Sequence, residues 1–254
     1  MRWLFVHAHP DDETLSTGAI ISCLTSRGDA CLVLTATRGE MGEAVPGSME
    51  PGQDLVALRQ AERAQALAAL RAEDAGWLGQ GPNRWRGTAA SSETGSGESV
   101  PADRVYTDSG MSWITPVLAG PGLTRGEQSL CSADLSEITA DIVASALNHA
   151  AGALVSYDDA GGYGHPDHVR CHQATRAAAA RLGLPFFDIV DDPALATTWY
   201  EADRPDDLLA AHRAYRTQFT MGVQGGSASA DLVIRHVGGQ MDQVRMGAGL
   251  RLLP

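Results

Sequence analysis

Residues 2–19 read RWLFVHAHPDDETLSTGA. The apolar run Trp3 to Val6 has the composition of a buried strand, and it gives way at once to two histidines, a proline and three consecutive acids. If Trp3 to His7 is a first strand and Asp12 begins the following helix, residues 9–12 form the loop at the strand's carboxyl end. Open α/β sheets place their sites there. Asp11, Asp12 and Glu13 would repel one another if folded together without a cation, so the stretch calls for a metal. Pro10 biases His9 toward an extended conformation, and the tight turn lets His9 and Asp12 converge.

One imidazole and one carboxylate make two ligands, and a hydrolytic metal site needs a third with a position left open for water. The donor is expected in residues 156–173, SYDDAGGYGHPDHVRCHQ. This stretch repeats the first one's anatomy: the strand-like run Ala153 to Tyr157, a glycine-rich loop, then His165-Pro166-Asp167-His168 opening a helix. Two strand-to-helix turns thereby bring histidines and carboxylates to one edge of one sheet, with His168 as third ligand. His149, His172, His212 and His236 stand alone and are expected to be ordinary residues. His7, on the strand itself, is expected behind the site or in the core.

The rest of the chain alternates strand and helix signals. Apolar runs at Trp3 to Val6, Cys31 to Leu34, Ala153 to Ser156 and Phe186 to Val190 interleave with helical patterns at Asp12 to Arg27, Asp54 to Arg71, Asp134 to Ala150 and Val169 to Leu182. The expected fold is α/β, a Rossmann-like, mostly parallel sheet with helices on both faces. Asp54 suits the N-cap of the firmest helix. Between Gly79 and Cys131 the texture turns to Gly, Ser, Thr and Pro, which predicts a long loop excursion. The tail offers one more strand, Asp231 to Val237.

With 254 residues, 44% hydrophobic and 20% charged, the chain can bury the core of one large domain. A net charge of -12, from 31 acids against 19 bases with no basic block, argues against a nucleic-acid partner. Cysteines 23, 31, 131 and 171 form no CxxC pair, which suits a reducing compartment, and the cytoplasm is the expected location. No signal-peptide pattern and no membrane-length apolar stretch is legible. A homo-oligomer is compatible with the sequence.

HAHPDDE followed by GGYGHPDH resembles the LmbE-like (PIG-L) N-acetylglucosaminyl deacetylases, both halves occurring in order at strand ends. SRGDACLVLTATRGEMGE, LRQAERAQALAALRA, GWLGQGPNRWR and DSGM are similar to the actinobacterial branch that deacetylates N-acetylglucosaminyl-inositol in mycothiol biosynthesis. The likeness covers roughly the first 185 residues, with interruptions. It implies an LmbE-like fold over 1–254, a loop insertion at about 87–107 that could act as a lid, and a divergent C-terminal part from about 186.

The resemblance further implies a metal-dependent N-deacetylase acting on a small amino-sugar. One divalent ion, zinc foremost and ferrous iron as the second choice, would be held by His9, Asp12 and His168. Asp11 would be the general base and then the acid. Tyr163 and His165 would stabilise the oxyanion, with Asp167 keeping His165 oriented and protonated. Glu43, Arg59 and Asp108 would contact the sugar and inositol hydroxyls. Ser16 stands where the related mycothiol-conjugate amidases carry lysine, which favours the deacetylase branch. An S-conjugate amidase, or a deacetylase of an acetamidosugar in a natural-product pathway, is the alternative.

Overall fold

A computed structural model describes residues 1–87, 102–115, 118–122, 126–224 and 231–254. Most of the expected insertion at 87–107 therefore lies outside the described residues, as does its reading as a lid.

The apolar run at the N-terminus forms β1 (Arg2–His7), whose residues from Trp3 onward are all buried. The helix expected after it breaks in two, α1 (Asp12–Leu15) and α2 (Gly18–Ser26). The Thr17 hydroxyl, which donates to the Glu13 carbonyl at 2.9 Å, lies at the break. The chain continues through β2 (Ala30–Thr35), α3 (Leu55–Leu70), β3 (Glu73–Trp77), the hairpin β4 (Met111–Thr115) and β5 (Leu118–Pro121), α4 (Leu135–Asn148), β6 (Ala153–Ser156), α5 (Pro166–Leu182) and β7 (Phe186–Val190). The C-terminal part adds β8 (Thr198–Glu201), α6 (Pro205–Ala214), β9 (Phe219–Gln224), β10 (Asp231–His236), β11 (Met241–Gln243) and β12 (Gly247–Leu252). Asp54 caps α3 as expected, accepting from the Val56 N–H at 2.9 Å.

The main sheet has seven strands in the order β3-β2-β1-β6-β7-β12-β8. From β3 to β7 every pairing is parallel, while β12 runs antiparallel to both β7 and β8. From β1 the chain steps outward to β2 and β3 on one side, and from β6 to β7 on the other. Right-handed crossovers in opposite directions put their helices on opposite faces, with α2, α3 and α6 packed together and α4 packed on α5. The boundary between β1 and β6 is the topological switch point, the place where open α/β sheets put their sites, beyond the strands' carboxyl ends. Both histidine-rich turns leave from these two strands.

The core is drawn from the sheet's central strands and the helices flanking them. Leu4, Phe5, Leu34, Leu154 and Val155 are fully buried. Among the described residues no helix is long and apolar enough to cross a membrane.

Candidate metal and catalytic site

The turn after β1 folds back on itself: the His9 N–H donates to Asp12 Oδ2 at 2.8 Å, and His9 Nδ1 lies 3.4 Å from the same oxygen. From the turn after β6, His168 Nε2 reaches within 3.3 Å of Asp12 Oδ1. His9, Asp12 and His168, named from the sequence as ligands, are thus brought together and all three are buried. His168 Nε2 is buried with no hydrogen-bond partner beside an anionic oxygen. A buried, unsatisfied imidazole nitrogen is costly, and a cation between it and Asp12 would satisfy both. The residues present therefore fit a divalent ion.

Other groups crowd the same place. The other nitrogen of His9, Nε2, lies 3.3 Å from Asp167 Oδ2 and 3.6 Å from Asp108 Oδ1. Burial opposes charge on His9, but Asp108, Asp12 and Asp167 outweigh it and hold its pKa well above the usual value. Asp12 and Asp108 are held far below the ordinary carboxylate range, against the opposing effect of burial, by His168 and His9 and by His9 respectively. Asp11 goes the other way. Burial, then the charges of Asp12 and Glu13, push its carboxyl well above the usual range. Its backbone sits at φ 110°, ψ -30°.

The hydrogen bonds of Asp167 and His165 differ from the expected ones. Asp167 is engaged chiefly with Ser109. Its carboxylate accepts from the Ser109 N–H at 2.9 Å and the Ser109 hydroxyl at 2.5 Å, and lies 3.1 Å from Cys131 Sγ. His165 instead caps α5, with Nδ1 accepting the Asp167 N–H at 3.1 Å. Burial, with His9 and His168 nearby, lowers the His165 pKa to about 3. The neutral ring, acceptor at Nδ1, carries its proton on Nε2. Tyr163 is 40% exposed, its ring edge-on to His165 and His168 at centroid distances of 6.1 and 5.2 Å.

The expected sugar contacts scatter. Asp108 stands beside His9, inside the polar centre. Arg59 is buried, with Nη1 donating to the Gly39 carbonyl and Nη2 to the Glu43 carbonyl at 3.0 Å. A Cβ on Gly39 or Gly42 would fall 2.6 or 2.5 Å from Nη1, so this guanidinium shapes the 39–43 loop. The Glu43 side chain is exposed, and Ser16 is half-buried at the C-cap of α1. His7 is in the core as expected, 3.0 Å from the Thr17 hydroxyl through Nε2.

Sequence reasoning missed several contributors. The Tyr157 hydroxyl donates to Asp12 Oδ2 at 2.6 Å. Ser109, which anchors Asp167, directly follows Asp108 in DSGM. Glu13, fully buried, accepts from the Tyr215 hydroxyl at 2.6 Å, and Gln218 donates to the Pro10 carbonyl at 2.6 Å. The only available signal was position: Tyr157 and Ser109 lie inside stretches already singled out, whereas Tyr215 and Gln218 lie far along the chain.

A family model described as PIG-L, GlcNAc-PI de-N-acetylase, matches residues 4–179. A Kineococcus radiotolerans protein named 1D-myo-inositol 2-acetamido-2-deoxy-alpha-D-glucopyranoside deacetylase is 39% identical, over 68% of this chain and 43% of its own. The chain thus spans less than half the length of that relative. A protein of the same name from Mycolicibacterium vanbaalenii is 37% identical over 89% of this chain and 84% of its own. Among solved structures, a deacetylase–teicoplanin complex superposes with a TM-score of 0.55 at 17% identity, covering 85% of this chain and 87% of that one. That likeness speaks to the fold. Since the family model spans most of the sequence, including both histidine-rich turns, the chain belongs to the PIG-L (GlcNAc-PI de-N-acetylase) family.

Proposed function

We propose that the chain is a metal-dependent N-deacetylase that hydrolyses the acetamide of an N-acetylglucosaminyl substrate, of the N-acetylglucosaminyl-inositol type, releasing acetate and the free amine. The observation that carries this reading is the buried His168 Nε2, unpartnered and 3.3 Å from Asp12 Oδ1, with His9 on the opposite oxygen. The names of the relatives supply the substrate class. Zinc suits two imidazoles and a carboxylate, as does ferrous iron. The four cysteines are free, in keeping with work in a reducing cytoplasm.

When bound by His9, Asp12 and His168, a divalent ion supplies positive charge that acidifies a water and polarises the amide carbonyl. Asp11, next to a ligand in the chain, takes the proton from the attacking water. As a carboxylate it can hold that proton and hand it on to the departing amine. The His165 Nε2–H donates to the developing oxyanion as a neutral imidazole, its orientation fixed by the Asp167 N–H on Nδ1. Tyr163, at the exposed mouth of the site, closes on the same oxyanion. Asp108 and Asp167 hold His9 by its far nitrogen.

The test is acetate release from a panel comprising N-acetylglucosaminyl-inositol, simple N-acetylglucosaminides and an N-acetylated thiol conjugate, with enzyme loaded with zinc or ferrous ion. The inositol conjugate should be the preferred substrate, and His168→Ala should lose metal and activity together. Preference for the thiol conjugate would move the chain to the amidase reading, and preference for another glycoside to natural-product chemistry. Release by the metal-free protein, or stoichiometric metal in His168→Ala, would overturn the mechanism.

A further inference from the structure

Tyr157 lies one residue beyond β6 and touches both halves of the candidate metal centre. Its hydroxyl donates to Asp12 Oδ2 at 2.6 Å and accepts the Ala8 N–H at 2.8 Å. A phenol has one proton, and with the backbone N–H as donor on one side that proton must go to Asp12. Its ring stacks on His168, with centroids 3.9 Å apart and planes 8° from parallel. Behind it, His172 Nδ1 is 2.8 Å from the Tyr157 carbonyl. Since that carbonyl can only accept, Nδ1 donates. His172 lies one turn of α5 beyond His168, so one helix carries both a proposed ligand and the group anchoring the tyrosine against it.

The accounting at Asp12 is asymmetric. Oδ2 receives the Tyr157 hydroxyl and the His9 N–H, and His9 Nδ1 lies 3.4 Å from it. Oδ1 faces His168 Nε2. Occupying one oxygen with fixed donors leaves the other to ligate and keeps the carboxylate from rotating.

We infer that Tyr157 is a positioning residue for the Asp12–His168 ligand pair, assigning Asp12 Oδ2 to the protein and Oδ1 to the ion while holding the His168 ring in plane. The inference rests on the proposed metal reading. Groups that orient ligands from behind set metal affinity, and losing one commonly costs about 10–100-fold. Tyr157→Phe keeps the stacked ring and removes only the hydroxyl.

The experiment measures zinc affinity by chelator competition, together with the visible spectrum of the cobalt-substituted protein. It compares wild type, Tyr157→Phe and Ser156→Ala. The last removes a buried hydrogen bond from the same strand, to the Val6 carbonyl at 3.0 Å, without touching Asp12. Tyr157→Phe should bind zinc about 10–100-fold more weakly and shift the cobalt bands. Ser156→Ala should lose stability and keep wild-type affinity and spectrum. Unchanged affinity and spectrum in Tyr157→Phe, or an equal loss in both variants, would overturn the inference. If Tyr157→Phe does not fold, His172→Gln, which loosens the anchor and spares the hydroxyl, should weaken zinc binding, and unchanged affinity there counts against the inference. Failure of the wild-type protein to bind zinc or ferrous ion at all would overturn the metal reading beneath it.

Discussion

Asp11 adopts φ 110° and ψ -30°, outside the regions open to residues with a Cβ. Such strain costs on the order of 1–3 kcal/mol and survives where surrounding contacts impose it. Here the charges of Asp12 and Glu13 add to it. Asp11→Gly should therefore raise the unfolding midpoint of the metal-free protein, the gain being about 1 kcal/mol or more, and abolish turnover. A lowered midpoint in denaturant titration would show that the side chain holds the loop. Asp11→Asn should keep stoichiometric zinc yet lose about 10²–10⁴ in turnover, because an amide cannot accept the proton. Near-normal rates from the metallated variant would remove Asp11 from the mechanism. A second buried group carries a pH signature. Burial disfavours charge on His172, but Asp188, 3.3 Å away, and the Tyr157 carbonyl outweigh it and raise its pKa above 6.5. A raised histidine pKa contributes stability that is full below the unfolded value and lost as pH rises through the folded one. The stability difference between the metal-free wild type and His172→Asn should accordingly be largest near about pH 6 and shrink toward about pH 9. A difference that widened with pH would reverse the assignment.

At the level of elements, α4 ties together the two ends of the segment at 88–101. Asp141, fully buried on that helix, accepts from the Tyr106 hydroxyl at 2.7 Å, the Trp85 N–H at 2.7 Å and Arg84 Nη1 at 3.1 Å. Glu137, one turn earlier, accepts from Arg84 at 2.7 Å and from Arg104. Arg84 and Trp85 precede the segment; Arg104 and Tyr106 follow it. Asp141→Ala should destabilise the protein by about 2 kcal/mol or more, since it leaves the Tyr106 hydroxyl and the Trp85 N–H without their acceptor and Arg84 with Glu137 alone. Equilibrium unfolding measures this, and a loss within experimental error would mean that the stems are held elsewhere. The same helix shows what sequence could reveal. Its N-cap Asp134 and its apolar period are local features, and so legible. Asp141 reads as one more polar residue of a solvated face, because its partners lie 35 and 56 residues away in the chain. Strands divide likewise. β1, β2 and β6 each contain an unbroken apolar run and β7, FFDIV, is interrupted only by Asp188; β3, EDAGW, carries two acids and a glycine, and β8 and β12, TWYE and GAGLRL, are too mixed to stand out. In the candidate site, the metal triad is legible because two short motifs contain it. The roles of Tyr157, Ser109 and Tyr215 depend on which strands become neighbours.

Across the whole molecule, the sheet reverses its winding between β1 and β6, and the C-terminal part returns to brace the place where it does so. Thr217 donates to the buried Glu62 through both its N–H, at 2.9 Å, and its hydroxyl, at 2.6 Å. With Tyr215 on Glu13 and Gln218 on Pro10, a short segment after α6 fixes the loop that carries His9 and Asp12. The last strand has a different part. β12 lies between β7 and β8, and among the described residues it is the only strand that pairs with β8. Deleting 247–254 should therefore free β8 and bare the edge of β7, giving a chain that aggregates on expression. A monomeric product with native circular dichroism would contradict this. Seen in time instead of space, the arrangement sets a schedule. A ribosome delivers β1, β2, β3, β6 and β7 before the other strands of the main sheet, and those five can zip together in parallel while the remainder is still being made. The edge of β7 must wait until β12 has emerged, because α6 and β8 to β11 are made between the two. Sheet completion thus lags behind the parallel part of the sheet, and until β12 arrives the nascent chain presents an open template for pairing with its neighbours on the same message.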